Sequence, residues 1–191
     1  MGKPVPDSIS ASQPAAFFDR DGVLNENHGY VYDATQFDLV DGATDAVRLC
    51  NEAGYRVFVV TNQAGVARGY YGEEAIAPLH RHMVTTFAEF GARIDDIRYC
   101  PHHPDGVVPD YARACSWRKP GAGMIHDLAA TWGVDLSRSF LIGDSPTDVE
   151  AAAAAGVRGY RFAGGDLSVL VRRALADADA DAGTGVGQGE P

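Results

Sequence analysis

Short apolar runs alternate with amphipathic stretches along most of the chain. Residues 15–18 (AAFF) form an unbroken apolar run that stops at acidic residues and Gly22, as a buried strand does. Residues 44–53 carry Ala46, Val47, Leu49 and Cys50 at helical spacing and end before Gly54, a residue suited to closing a helix. Residues 56–61 (RVFVVT) are β-branched and aromatic, which predicts a strand. Residues 73–90 have helical spacing, with Pro78 expected to confine the regular helix to the later part. Further on, the pattern predicts a strand at 97–100, a helix at 121–132, a strand at 139–142 and a helix at 146–155 closed by Gly156. A last strand at 157–162 and a last helix from Leu167 to about Ala178 complete the series.

Strands that alternate with helices imply an α/β fold with a doubly wound, mostly parallel sheet covered on both faces. At 191 residues the chain fits one such domain, expected over 15–176, and no stretch is long enough for a separate cap domain. Residues 1–14 are rich in Pro and Ser without apolar period and read as a flexible leader. Residues 177–191 (DADADAGTGVGQGEP) read as a disordered acidic and Gly-rich tail.

Open sheets of this kind place ligands beyond the carboxyl ends of their strands, and polar chemistry clusters where these strands stop. Asp19-Arg20-Asp21-Gly22 follows the first strand, Thr61-Asn62-Gln63 the second, and Gly143-Asp144-Ser145-Pro146-Thr147-Asp148 a later one. Arg118-Lys119-Pro120-Gly121 stands just before a helix. Taken singly, each has an ordinary explanation. D-x-D-G also suits a turn or a calcium loop. Thr61-Asn62 also closes a turn, the basic pair also serves as solvated surface charge, and Ser145-Pro146 is a good helix start. Taken together, the order acid pair, hydroxyl, lysine, acid is the stronger signal.

Charge narrows the partners. Lys and Arg total 16 against 26 Asp and Glu, a formal net charge of -10, so a general nucleic-acid binder is disfavoured while one locally positive cleft for a small anion is not. Three cysteines cannot all pair with one another, and neither a secretion signal nor a membrane span is visible. A cytoplasmic protein without membrane contact is expected. No uncommitted apolar face stands out, which favours a monomer.

The motif order resembles that of the haloacid dehalogenase superfamily of phosphotransferases. The strings FFDRDGVLNENHGYV, TNQAGVARGYY, CPHHPDG, RKPGAGM and IGDSPTDVEAA are similar to the D-glycero-D-manno-heptose 1,7-bisphosphate 7-phosphatase family, in the branch that also holds the histidinol-phosphate phosphatases. The likeness spans residues 15–156. It implies a haloacid-dehalogenase-like Rossmannoid fold and a Mg²⁺-dependent phosphatase acting on a small phosphorylated sugar in nucleotide-activated heptose biosynthesis. By that resemblance Asp19 is the nucleophile that becomes an aspartyl phosphate, and Asp21 the general acid and base. Thr61 and Lys119 stabilise the phosphoryl group. Mg²⁺ is held by Asp19, the Asp21 carbonyl and Asp144, with Asp148 behind them. Arg20, Asn27, His28, Gly29, Tyr30, Asn62, Gln63 and Ala64 are expected to bind substrate, with Arg68 and Arg118 candidates for the non-reacting phosphate.

The family also carries a zinc-stapled loop of form C-x-H followed by C-x-C. Here Cys100-Pro101-His102 is followed by Cys115-Ser116-Trp117, so the fourth ligand is replaced by Trp117. Structural zinc is almost always four-coordinate, which leaves His103, Asp105, Asp110 or water to supply the missing bond, or the loop without Zn²⁺. Cys50 reads as core, and His80 and His82 as surface residues of a helix. Histidinol-phosphate hydrolysis is the runner-up activity. DNA 3′-phosphatase activity and a non-catalytic phosphosugar-binding module stand further behind.

Overall fold

The computed structural model describes residues 12–184. Five strands, all parallel, form one sheet: β1 (Ala15–Phe18), β2 (Arg56–Asn62), β3 (Asp96–Cys100), β4 (Phe140–Gly143) and β5 (Arg158–Arg161). The spatial order β3-β2-β1-β4-β5 reverses direction at β1, which makes the sheet doubly wound. Strand alternation then sorts the side chains into two cores. Ala16, Phe18, Val57, Val59, Phe140 and Ile142 face one side, packed under α1 (Ala43–Glu52), α3 (Ile76–Glu89) and α6 (Leu167–Thr184). Ala15, Phe17, Phe58, Val60 and Leu141 face the other, under α4 (Gly123–Trp132) and α5 (Pro146–Ala155). With both faces covered, β1, β2 and β4 read as continuous apolar runs rather than alternating ones.

The predicted elements are present with ends shifted by one or two residues at most positions. Two differences have clear causes. Pro78 does not delay α3, because it sits in the first turn, where the missing N–H has no intrahelical partner to lose; a 3-10 turn, Glu73–Ala75, leads into it. The last helix continues through Asp177 to Thr184, so the first part of the segment expected to be a tail is helical. Ala is the best helix former, and the Tyr160 hydroxyl donates to Asp177 Oδ2 at 2.9 Å, which ties that stretch to β5. Residues 185–191 lie outside the described residues.

The same holds for residues 1–11 of the expected leader. Its last three residues join the fold: Arg56 N donates to the Pro14 carbonyl, Asp135 N to the Gln13 carbonyl, and Ser12 Oγ to the Gly133 carbonyl. A short helix missed by the pattern, α2 (Ala64–Ala67), follows β2 directly. Among the described residues no helix is long and apolar enough to cross a membrane.

Candidate active site

Three neighbouring strands end at one edge and deliver the polar groups there. β1 runs into Asp19, β2 carries Thr61 and Asn62, and β4 ends before Asp144. Lys119 enters from the loop before α4. It is 3% exposed, and its Nζ meets three acceptors: Asp19 Oδ1 at 2.9 Å, Asp148 Oδ1 at 2.5 Å and the Val60 carbonyl at 2.7 Å. One hydrogen bond and two ion pairs thus surround the ammonium, the charge compensation that burying a lysine requires. The loop holding Lys119 is itself fastened to β2, since Asn62 accepts from Lys119 N and donates to the Lys119 carbonyl. Asp148 belongs to the start of α5, where it accepts from Ser145 N as half of a capping box while Ser145 Oγ accepts from Thr147 N. One carboxylate therefore both starts the helix and orients the lysine.

Asp21 is held by a different set. Arg20 Nε donates to its Oδ1 at 3.1 Å, and Arg20 Nη2 lies 3.0 and 2.8 Å from Oδ1 and Oδ2. Asn25 Nδ2 donates to Oδ1 and Gln63 Nε2 to Oδ2. This corrects one expectation. The Arg20 side chain is fully buried and turned back into the fold, where it clamps Asp21 instead of lining the pocket. A pair of carboxylates two residues apart is thereby divided: Asp19 faces Lys119, and Asp21 faces Arg20.

Asp19, Asp21, Thr61 and Asp144 line one polar pocket of about 140 Å³, together with Asn27, Gly29, Tyr30, Asn62, Gln63, Ala64 and Tyr71. Larger clefts elsewhere gather no such set of carboxylates. Three expected contacts stand apart from this lining. His28 is exposed and pairs with Asp38 at 2.9 Å. Arg68 is exposed at the end of α2 beside His103, and Arg118 is half-buried with Nη1 near the His102 carbonyl. Two tyrosines of the loop after β1 lean on the segment after α2, with Tyr30 on Tyr70 at 4.5 Å and Tyr32 on Tyr71 at 5.0 Å between ring centroids.

Sequence reading missed Tyr71 and took His80 for a surface residue. Tyr71 donates to Gln63 Oε1 at 2.6 Å, and the near approach of its ring to Gly65 leaves no room for a Cβ there. His80 is buried rather than superficial, against Arg20. The spacing on its helix gave a usable signal: Ile76, Leu79, His80, Met83 and Phe87 form one buried stripe.

The carboxylates suit a hard divalent cation. Asp19, Asp144 and Asp148 each bring an oxygen within 4.8 Å of the others. Gly22, with φ +84°, lies so close to Asp144 that a Cβ would overlap its carboxylate, so the loop after β1 is shaped to admit that group. Burial pushes the Asp19 carboxyl up to about 7 against the pull of Lys119, with Asp148 adding repulsion. Asp144 is raised by burial and by Asp148. Four carboxylates face two cations, Lys119 and Arg20, a surplus of negative charge that a bound divalent ion would offset.

The second cluster is less complete. Cys100, at the end of β3, lies with His102 and Cys115 within 4.8 Å. Trp117 packs into the core under α4 instead of offering a ligand. His102 Nε2 lies 2.7 Å from Arg113 Nη2, so in the neutral ring the proton sits on Nδ1, which faces Cys100 Sγ at 3.7 Å. Zinc needs that lone pair, and these residues fit a closed four-ligand site poorly. The loop has other fastenings. Glu73 accepts from Tyr99 at 3.0 Å and from Tyr111 at 2.5 Å.

Residues 116–182 match the hydrolase-like family model described as HAD-hyrolase-like. Over 165 residues the chain is 53% identical to the D-glycero-beta-D-manno-heptose-1,7-bisphosphate 7-phosphatase of Rhodopseudomonas palustris, covering 86% of this chain and 92% of that protein. It is 40% identical over 149 residues to the protein of the same name from Escherichia coli K12, covering 78% of each. The D,D-heptose 1,7-bisphosphate phosphatase of B. bronchiseptica, solved with magnesium and phosphate, superposes with a TM-score of 0.72 at 28% identity, over 90% of this chain and 99% of that one. A HAD-like phosphatase from Mesorhizobium loti gives a TM-score of 0.78 at 30% identity, over 92% and 91%.

Proposed function

The chain belongs to the D-glycero-D-manno-heptose 1,7-bisphosphate 7-phosphatase family, a branch of the HAD-like hydrolases, and from that premise we propose that it removes the 7-phosphate of the β-anomeric heptose bisphosphate. The observation that carries this reading is the convergence of Asp19, Thr61 and Asp144 on one polar strand-end pocket, with buried Lys119 paired to Asp19. Phosphate monoesters resist hydrolysis because nucleophile and ester are both anionic, so a catalyst needs positioned charge as much as a nucleophile.

Asp19 attacks phosphorus with one carboxylate oxygen, and the bond from phosphorus to the sugar oxygen breaks. Asp21 gives the leaving oxygen its proton. In the second half, water attacks the aspartyl phosphate at phosphorus while Asp21 takes a proton from it, so Asp19 returns as a carboxylate and inorganic phosphate leaves. Lys119 holds Asp19 in place and offsets charge on the transferring group, and Thr61 offers a hydroxyl to a phosphoryl oxygen. Asp19, the Asp21 carbonyl and Asp144 would hold Mg²⁺, with Asp148 behind them. When bound, the ion supplies Lewis-acid stabilisation of the phosphoryl oxygens.

Three donors stand near one another, outside the pocket lining, for the phosphate that is not cleaved. Arg118 is one, with Arg68 as a neighbouring cation. His103 is the third: its Nδ1 accepts from Asp105 N at 3.0 Å, which leaves Nε2–H facing Arg68 Nη2 at 3.4 Å. Two donors pointed at each other are both satisfied by a shared phosphate oxygen. The loop carrying His103 is proposed to hold its shape without zinc.

The test is kcat/KM across both anomers of the heptose bisphosphate, heptose 7-phosphate and histidinol phosphate, with and without Mg²⁺. The β-bisphosphate is expected to lead, with heptose 1-phosphate as product and activity lost on chelation of Mg²⁺. A lead for histidinol phosphate would overturn the substrate assignment.

A further inference from the structure

Resting on that reading, we propose that His80 is a positioning residue for proton transfer: its Nε2 accepts a hydrogen bond from Arg20 and thereby fixes the guanidinium that aims Asp21 at the leaving oxygen. His80 lies on α3, 60 positions from Arg20 in sequence, with Nε2 3.3 Å from Arg20 Nη1. It packs edge-on against Tyr99, with ring centroids 5.7 Å apart.

Arg20 is fully buried, so each of its N–H groups needs a partner. Nε and Nη2 reach Asp21, and Nη2 also lies 2.7 Å from the Val31 carbonyl and 3.2 Å from Gln63 Oε1. Among the described residues, Nη1 has His80 Nε2 as its hydrogen-bond partner. A guanidinium only donates, so His80 must present a lone pair there and carry its proton on Nδ1. Burial, with Arg20 beside it, holds the imidazole down to about 3, so the ring remains the neutral acceptor across the working pH range.

The consequence is geometric. Asp21 reaches its proton-transfer position through a fork of hydrogen bonds whose far prong is anchored on α3. Removing that anchor leaves a buried donor unpaired, which is unfavourable, so the guanidinium turns toward a new partner and takes Asp21 with it. A misplacement of about 1 Å at a reacting group lowers rate by up to roughly 100-fold.

The experiment compares wild type, His80→Leu and His80→Gln on two esters. The sugar phosphate has a poor, alkoxide leaving group that needs the proton of Asp21, whereas p-nitrophenyl phosphate has a good one that does not. His80→Leu is expected to lower kcat on the sugar ester by about ten- to a hundred-fold with KM within about two-fold, and on the aryl ester by less than about three-fold. His80→Gln, which restores an acceptor at that reach, is expected to recover the sugar-ester rate. Equal losses on both esters, or none on either, would overturn the proposal, since general loosening of the fold does not distinguish leaving groups. If His80→Leu fails to fold, His80→Asn keeps polarity but sets its acceptor oxygen one methylene short of Arg20, and the same contrast decides. Should another alkyl phosphate outperform the heptose bisphosphate in wild type, the substrate reading has failed, yet the alkyl-to-aryl contrast measured on that better ester still judges His80.

Discussion

Two clusters of metal-binding residue types stand side by side along the carboxyl edge of the sheet, and they differ in completeness. Asn62 and Cys100 are register partners at the ends of β2 and β3, so the carboxylate pocket and the cysteine cluster are separated by one strand spacing. In the first, Lys119 is matched to two carboxylates and a carbonyl, and Arg20 to Asp21 and the groups around it. In the second, Trp117 stands where the resembled pattern has a ligand, and the loop is tied by Tyr111 to Glu73, which also accepts from Tyr99 of β3. The contrast teaches which kind of residue can be exchanged. An ion pair in a buried site cannot lose one member without stranding the other. A loop fastening only has to be strong enough, and on the reading proposed above hydroxyl–carboxylate bonds would substitute for a metal.

The contrast can be broken or sharpened by experiment, beginning where the effect is largest. Asp19→Asn removes the nucleophile and is expected to lower kcat by roughly a thousand-fold or more while the protein stays folded. Steady-state phosphate release and circular dichroism check both halves. Lys119→Met strands Asp19 and Asp148 against each other, and a loss of about 3–5 kcal/mol in urea unfolding is expected, with activity lost as well. A stable Lys119→Met protein would show that the first cluster is no more constrained than the second.

An acid limb follows from His80. Its folded value lies below its unfolded one, so the unfolded chain takes up the proton first as pH falls. The stabilisation is complete above about 6.5 and is lost as pH drops toward 3, with ~2 kcal/mol gone by pH 5. His80→Gln should lack this component, which denaturation at pH 7 and pH 5 would reveal.

On the other side, Glu73→Gln replaces an acceptor oxygen by a donor and is expected to cost about 1 kcal/mol and to raise KM through the loop that bears Arg118. The smallest effect expected is none: a zinc chelator should leave the melting temperature unchanged, and metal analysis should find zinc well below one per chain. Trp117→Cys should then raise bound zinc toward one. Stoichiometric zinc in the unaltered protein would erase the difference between the clusters.

Much of this site is legible from residues alone because its groups follow apolar strands directly. Asp19, Thr61 and Asp144 are placed by periodicity plus the rule that ligands gather at strand ends. Direction is what the string lacks. Arg20 sits between two site residues, yet its side chain turns inward, and nothing local states that its partners are Val31, Gln63 and His80. His80 looked superficial because its polarity outweighed its place on a buried stripe. The acidic repeat from Asp177 hid a continuing helix, because composition registers charge while the alanines between supply propensity and the contact to Tyr160 is distant in sequence.

The most direct test is whether phosphate passes through Asp19. Acid-quenched single turnovers on the heptose bisphosphate, followed by peptide mass spectrometry, should show a phosphoryl adduct on Asp19 that rises and decays before free phosphate reaches its plateau. Phosphate release at the full wild-type rate with no adduct at any quench time, or an adduct on another residue, would contradict the covalent relay.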